Sequence, residues 1–360
     1  MPVVRAFGPV VAALALILAS GGAASATPRV HCGDTLTRDT VLTRNLSCPD
    51  GRGLTLADGV TLNLRGHRLA GPGADPAGTG GQIGVTLPLN GTATVVNGSI
   101  VNWTTGIGGN ADLEGHPVAS VRDVRLIHNG TGIDASQADI GVQRATIVGS
   151  LFTGVNAFWL SDVTVTDSVL RGNHYAASGR YSYRLSLRRS TLVGNENGLS
   201  CSETGCSVVG SRVSGSREAL YSFGGPLTLT DNDIVDNTLG YRSEYDTRDV
   251  VSGNRFARND VATSIGILAT AEIRDNTFTA NRVGYTLNND QVQDYEVRLI
   301  GNTFVRNGDG VYVVHPGTSL GGNIARHNTG WGIYAPGATD LGGNVSRGNG
   351  KQPQCVGVIC

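Results

Sequence analysis

Apolar and polar residues alternate along this chain in short runs, each closed by Gly, Asn or Asp, as in Val60-Thr-Leu-Asn63, Asp162-Val-Thr-Val-Thr166 and Leu227-Thr-Leu-Thr230. A period of two predicts strands that bury one face. The 3.6-residue period of helices, and of helical or leucine-rich repeats, is absent.

The runs recur at a fixed interval. Asn232, Asn254, Asn276, Asn302, Asn323 and Asn344 are each followed five positions later by a second Asn, with an apolar residue one or two positions after the first. The frame extends backwards with Val124, Ala145, Ser168, Ser190 and Ser211 in the first slot, at spacings of 21 to 26 residues. Two further coils, around Gly66 to Leu69 and Gly98 to Trp103, lie upstream with longer insertions. A period of this length predicts a solenoid. Three or four strands per repeat make it an all-β, single-stranded right-handed parallel β-helix of roughly 12–13 coils, a rod of about 60 Å at the strand spacing of ~4.8 Å. The second-slot Asn (Asn129, Asn173, Asn195, Asn237, Asn259, Asn281, Asn307, Asn328, Asn349) is expected to take left-handed backbone and to hydrogen-bond the Asn above and below.

Composition changes the picture in three places. The 52 glycines would suggest disorder if they were not periodic. The start of the chain, with Arg5, an apolar run over Val10 to Ala19 and Ala24-Ser25-Ala26, reads as a signal peptide over residues 1–26. That run is shorter than the ~20 apolar residues a membrane-spanning helix needs, so a secreted protein, soluble or loosely cell-associated, is expected from Thr27 onward, as one domain over 27–360; a monomer is expected. The six cysteines form close neighbours, Cys32 with Cys48, Cys201 with Cys206 and Cys355 with Cys360, and in an exported chain an even set points to disulfides. Local pairing is the simplest of the 15 connectivities. It would brace an N-terminal cap (27–58), tie a loop midway and close a C-terminal cap (350–360).

The formal net charge is −1, which disfavours nucleic acid as a partner. Lys351 is the only lysine and Met1 the only methionine, which excludes a lysine base in the body of the rod and a methionine copper site in the mature chain.

The Asn-x-apolar-x-x-Asn-x-x-Gly-apolar coils, the opening Cys32-Gly33-Asp34-Thr35-Leu36 leading to Val60 through His67, and the ending Gly342-Gly343-Asn344-Val345 to Cys355–Cys360 resemble the right-handed β-helix repeat proteins exported by actinobacteria, within the pectate-lyase-like superfamily. The resemblance spans the mature chain and implies the fold. Its members include polysaccharide lyases, glycoside hydrolases, uronan epimerases, the copper-enzyme maturation protein NosD, adhesins and tailspikes, so the fold alone does not settle function. The paired-aspartate, Gly-His-Gly and Arg-Ile-Lys motifs of polygalacturonase-like hydrolases are missing. So is the Asp-Pro-His of alginate epimerases, since Val314 precedes His315-Pro316.

Residues at one offset stack in columns. Outward positions of one strand include Asn156 and Phe158, Ser200 and Ser202, Tyr221 and Phe223, Arg242 and Glu244, Thr286 and Asn288, and Tyr312. The loop just beyond gathers Trp159, Tyr181, Tyr183, Glu203, Tyr245, Asp246, Asp290 and His315. Aromatic faces beside carboxylates, Arg and Asn suit an extended polysaccharide or cell-surface glycan, because sugar faces stack on rings and hydroxyls bond polar groups. Phe158, Trp159, Tyr181, Glu203, Tyr221, Glu244, Asp290 and His315 are the expected substrate contacts. Lyase or epimerase chemistry on a uronate needs a carboxylate neutraliser, a base and an acid, roles open to Arg242, Tyr245 and Asp246. A Ca²⁺ ion is the alternative neutraliser, with Glu244, Asp246, Glu203 and Asp249 as the nearest oxygens. His67 and His128 fall in turn positions and His327 precedes a ladder Asn, so all three read as surface residues, while His174 and His315 lie closer to the aromatic face. The competing reading is a non-catalytic rod for adhesion, its aromatics covering sheet surface.

Overall fold

The computed structural model describes residues 29–74, 81–109, 115–287, 296–314 and 316–360. The leader over 1–26, Asn288, Asp290 and His315 lie outside them. His31–Cys360 forms one compact unit, and every strand pair in it is parallel, as in Thr153–Phe158 against Tyr175–Arg180 and Asp162–Thr166 against Arg184–Arg188. The architecture is a parallel β-solenoid, and among the described residues it has no helix.

While Thr92–Val101 and Val118–Ile127 each run unbroken over two faces, most coils contribute three strands. In one coil these are Asn197–Ser202 on face A, Gly205–Val209 on face B and Arg212–Ser214 on face C. Face A is a fifteen-stranded sheet that starts at Thr35–Leu36. That exceeds the 12–13 coils expected because the short strands Thr35–Leu36 and Leu54–Leu56, read as an irregular cap, already pair in register as coils. Alternation sets which side faces in: Asp162–Thr166 buries Val163 and Val165, and Leu227–Thr230 buries Leu227 and Leu229. Phe256, Phe278 and Phe304 stack at ring-centroid distances of 4.9 and 4.6 Å and interplanar angles of 7°.

Two buried Asn ladders run along the corners. Asn254 Nδ2 donates to Asn276 Oδ1 (3.0 Å), Asn276 Nδ2 to Asn302 Oδ1 (3.0 Å) and Asn302 Nδ2 to Asn323 Oδ1 (3.1 Å). The second ladder runs from Asn237 through Asn259, Asn281, Asn307 and Asn328 to Asn349. Each amide also donates to a backbone carbonyl, such as Asn281 Nδ2 to Phe256 O (3.1 Å), which satisfies it fully inside the rod. Towards the N-terminus the first ladder becomes a hydroxyl ladder, Ser211 Oγ accepting from Ser190 N (3.0 Å) and Ser190 Oγ from Ser168 N (3.2 Å).

Contrary to expectation, the ladder Asn does not itself take left-handed backbone. The left-handed residue is the one before each ladder Asn, namely His128, Asp236, Arg258, Ala280, Arg306 and His327, with φ between 53° and 60°. The corner residue turns the chain so that the next side chain, the Asn, points inward, where its hydrogen bonds offset the roughly 1–2 kcal/mol a non-Gly residue loses in that conformation.

The three disulfides pair neighbours as expected: Cys32–Cys48, Cys201–Cys206 and Cys355–Cys360. Cys201–Cys206 lies inside the rod and clamps the corner between faces A and B. Disulfides of this kind belong to an oxidising compartment, periplasmic or extracellular. No helix among the described residues is long and apolar enough to cross a membrane.

Candidate functional site

Face A carries the outward columns. In register, Asn156, Ser178, Ser200, Tyr221, Arg242, Ser264, Thr286 and Tyr312 form one column. Phe158, Arg180, Ser202, Phe223 and Glu244 form the next. The corner beyond holds Trp159, Tyr181, Glu203, Tyr245 and Asp246, all in left-handed backbone with φ between 44° and 56°. That conformation turns the chain from face A to face B and leaves Trp159, Tyr181 and Tyr245 exposed.

A charged knot forms at the middle of face A. Arg242 Nε lies 2.7 Å from Glu218 Oε1, and Arg242 Nη1 lies 3.7 Å from Glu244 Oε1. The 2.7 Å approach is off the N–H direction, so it is a charge contact rather than an aligned hydrogen bond. The Tyr221 hydroxyl donates to Glu244 Oε2 (3.3 Å), and the guanidinium lies over the Tyr221 ring at 4.5 Å. Phe223 connects this knot to the corner, its ring 5.0 Å from that of Tyr245. Arg242, Glu218 and Glu244 are only partly exposed. Burial raises the Glu218 carboxyl above its ordinary value against the pull of Arg242 and Arg217. Burial first, and the Glu244 carboxylate second, push the Tyr221 hydroxyl up to about 12, so it keeps its proton at neutral pH and acts as a donor.

The expected trio of Arg242, Tyr245 and Asp246 is thus replaced as the packed centre. Arg242 engages Glu218 and Glu244, while Tyr245 stands with Phe223 at the exposed corner and Asp246 is exposed. Glu218 was missed from sequence. It stands three residues before Tyr221, in register with Asn197 and Tyr175 at the start of the face A strands, an odd offset that a period of two does not mark as outward.

The calcium set does not assemble either. Among the described residues no three His, Cys, Asp or Glu side chains are grouped to hold a metal ion. Glu203 lies on the exposed corner, whereas Asp249 points into the core and is 2 % exposed. There its Oδ2 accepts from Tyr241 Oη (2.5 Å) and Ser243 Oγ (2.6 Å), and its Oδ1 from Leu227 N (2.7 Å).

A second group lies nearer the N-terminus. Phe158 and Trp159 have ring centroids 6.3 Å apart, and Trp159 meets Tyr181 edge-on, also at 6.3 Å. A shallow depression of about 270 Å³ beside them is lined by Ser136, Gln137, Phe158 and Trp159. Tyr183, two residues on, is 66% exposed. His174 is held by Glu196 (Nδ1 to Oε2, 2.7 Å) and by the Tyr175 ring, away from this ledge.

No curated protein matches the chain in sequence. Among solved structures, the chain is similar to the catalytic unit of a thermostable GH87 alpha-1,3-glucanase from Streptomyces thermodiastaticus strain HF3-3, with 15% identity over 89% of this chain and 61% of that one and a TM-score of 0.47. It therefore spans about three fifths of that unit. It is also similar to a mannuronic acid specific polysaccharide family 6 lyase from human gut microbiota (9% identity, 81% of this chain, 82% of that one, TM-score 0.41). A third likeness is to the A-module of the Azotobacter vinelandii mannuronan C-5 epimerase AlgE6 (15% identity, 88% of this chain, 91% of that one, TM-score 0.32). Likenesses of this size say nothing about chemistry. The sequence match is of another kind, since it covers residues 113–295, just over half the chain, and by it the chain belongs to the family described as periplasmic copper-binding protein (NosD).

Proposed function

We propose that the protein is an exported solenoid that binds an extended acidic polysaccharide along face A. The observation that carries this reading is the continuity of the surface. The exposed ledge of Phe158, Trp159 and Tyr181 runs, coil by coil, into the half-buried knot of Tyr221, Glu218, Arg242 and Glu244. Strand spacing of ~4.8 Å sets the distance between successive residues of a column, comparable to one sugar unit of an extended chain. Rings offer stacking faces, and the knot offers charged and hydroxyl groups for sugar hydroxyls.

The finer part of the reading is lyase or epimerase chemistry on a bound uronate. The knot, not the Tyr245–Asp246 corner, is where partly buried acids and a guanidinium converge, so Glu218, Glu244 and Arg242 are its candidate groups. Tyr221, protonated at neutral pH, fits a donor to a leaving or ring oxygen and not a base.

Copper, named in the description of the family, does not fit the donor set here. All six cysteines are in disulfides, the sole methionine is Met1, and no histidines cluster among the described residues. No step of the proposal runs through a metal.

The test is retardation of the purified chain in gels containing a panel of uronans and neutral glucans. Trp159→Ala combined with Tyr181→Ala should weaken binding at least tenfold at an unchanged thermal midpoint, since both side chains are exposed. Absence of retardation by every polymer would sink the reading and favour a non-catalytic rod. Ultraviolet absorbance of unsaturated uronic ends, followed on any polymer that binds, tests the lyase part.

A further inference from the structure

We propose that Arg180, in register with Phe158 and seated on the Tyr181 ring, is the group that reads an anionic substituent, carboxylate or sulfate, on the bound polysaccharide. This rests on the polysaccharide reading above and assigns the charge recognition to a residue outside the knot.

Face A carries Arg180 and Arg242 on its strands, with Arg217 and Arg282 just before two of them. Arg242 already faces the carboxylates of Glu218 and Glu244, which occupy its guanidinium. Arg217 lies 3.8 Å from Glu196, and Arg282 is held bidentately by Asp260. Arg180 alone of these four has no carboxylate within ion-pair distance among the described residues. Its guanidinium carbon lies 5.0 Å from the Tyr181 centroid. A guanidinium resting on a ring is held in place by the π face yet keeps its in-plane N–H groups, the fork that binds a carboxylate or sulfate through two hydrogen bonds.

The surroundings fit a sugar rather than a free anion. Phe158 is the in-register neighbour of Arg180 in the preceding coil, and Trp159 is the neighbour of Tyr181. The depression lined by Ser136, Gln137, Phe158 and Trp159 opens one coil before Arg180. A sugar ring stacked on Trp159 would bring its acidic substituent across to Arg180, one strand spacing away. In the opposite direction the same column continues through Ser202 and Phe223 to Glu244, three coils from Arg180, so the anion site and the knot can be occupied by one chain.

The experiment uses the full exported chain and two matched pairs of polymers: a polyuronan with its carboxyl-reduced neutral form, and dextran sulfate with dextran. The wild type should bind the charged member of at least one pair about tenfold or more tightly, as expected for a charge-assisted bidentate contact, and which pair responds identifies carboxylate or sulfate. Arg180→Gln should abolish the preference while leaving affinity for the neutral member unchanged, and Arg180→Lys should restore part of it. If Arg180→Gln retains the full preference, the assignment to Arg180 is wrong and the acidic-polysaccharide reading stands; if the wild type binds charged and neutral members equally, the assignment is wrong and only glycan binding without charge preference survives. If the wild type binds no polymer, both fall.

Discussion

The Asp249 carboxyl is the most exacting test of the interior. It is buried, it has no cationic partner among the described residues, and burial raises it from 3.8 to about 6 even though it accepts hydrogen bonds from Ser243, Tyr241, Leu227 and Ser222. A rise of that size corresponds to about 3 kcal/mol. Because the folded value lies above the unfolded one, the folded state binds the proton more tightly. The contribution is fully present below about pH 4 and is lost as the pH rises through about 6. Ser222 Oγ lies 2.9 Å from Gly225 O and 3.2 Å from Asp249 Oδ1, and its single hydroxyl proton serves one of these two acceptors at a time. Asp249→Asn keeps the shape and removes the titration. A unit of about 330 residues, His31–Cys360, has an unfolding entropy of about 0.7 kcal/mol/K, so 3 kcal/mol is worth about 4 °C. Melting both chains by circular dichroism from pH 4 to pH 8 should show the variant gaining about 4 °C on the wild type across that range. The surface aspartates Asp123, Asp167, Asp236 and Asp260, held low by their Arg partners, act in the opposite sense, losing stability as the pH falls. They are common to both chains and cancel in the difference. Parallel pH profiles would refute the assignment of a raised carboxyl to this position.

Two further outcomes concern the core. Asn276→Ala removes the donors to Val251 O (2.8 Å) and Asn302 Oδ1 and strands Asn254 N, so urea unfolding should show a loss of about 3 kcal/mol, with Asn276→Asp losing no less at neutral pH because its second oxygen would face those acceptors as a buried carboxylate. Phe278→Ala opens a hole between Phe256 and Phe304 and should cost about 3–5 kcal/mol in the same measurement, while Phe278→Leu should cost less.

What was legible from sequence and what was not follow one physical division. The coil repeat was readable because its cause is local: a corner that needs left-handed backbone and an inward amide leaves the same letters every 21 to 26 residues. The outward columns of face A were readable for the same reason, and Phe158, Trp159, Tyr181, Tyr221, Arg242 and Glu244 all stand where the offsets place them. Pairing between columns was not. The partner of Arg242 is Glu218, 24 residues earlier, and nothing in an offset tells which of several outward acids a guanidinium will reach. Asp249 was misread for a related reason. In a strand with alternating burial a charged residue is taken as outward by its type, yet here the alternation itself, Arg248 out, Asp249 in, Val251 in, assigned it to the core. The polar side chains that make that position habitable, Ser222, Tyr241 and Ser243, come from two coils of face A. Their inward direction was fixed by the period of two, so a reading that applied the period before the residue type would have found the buried carboxyl. The same reading would have found Arg180, which shares a column with Phe158 and Glu244. That Arg180 has no carboxylate partner among the described residues, by contrast, is a fact of three dimensions, and the anion site proposed for it rests on that fact.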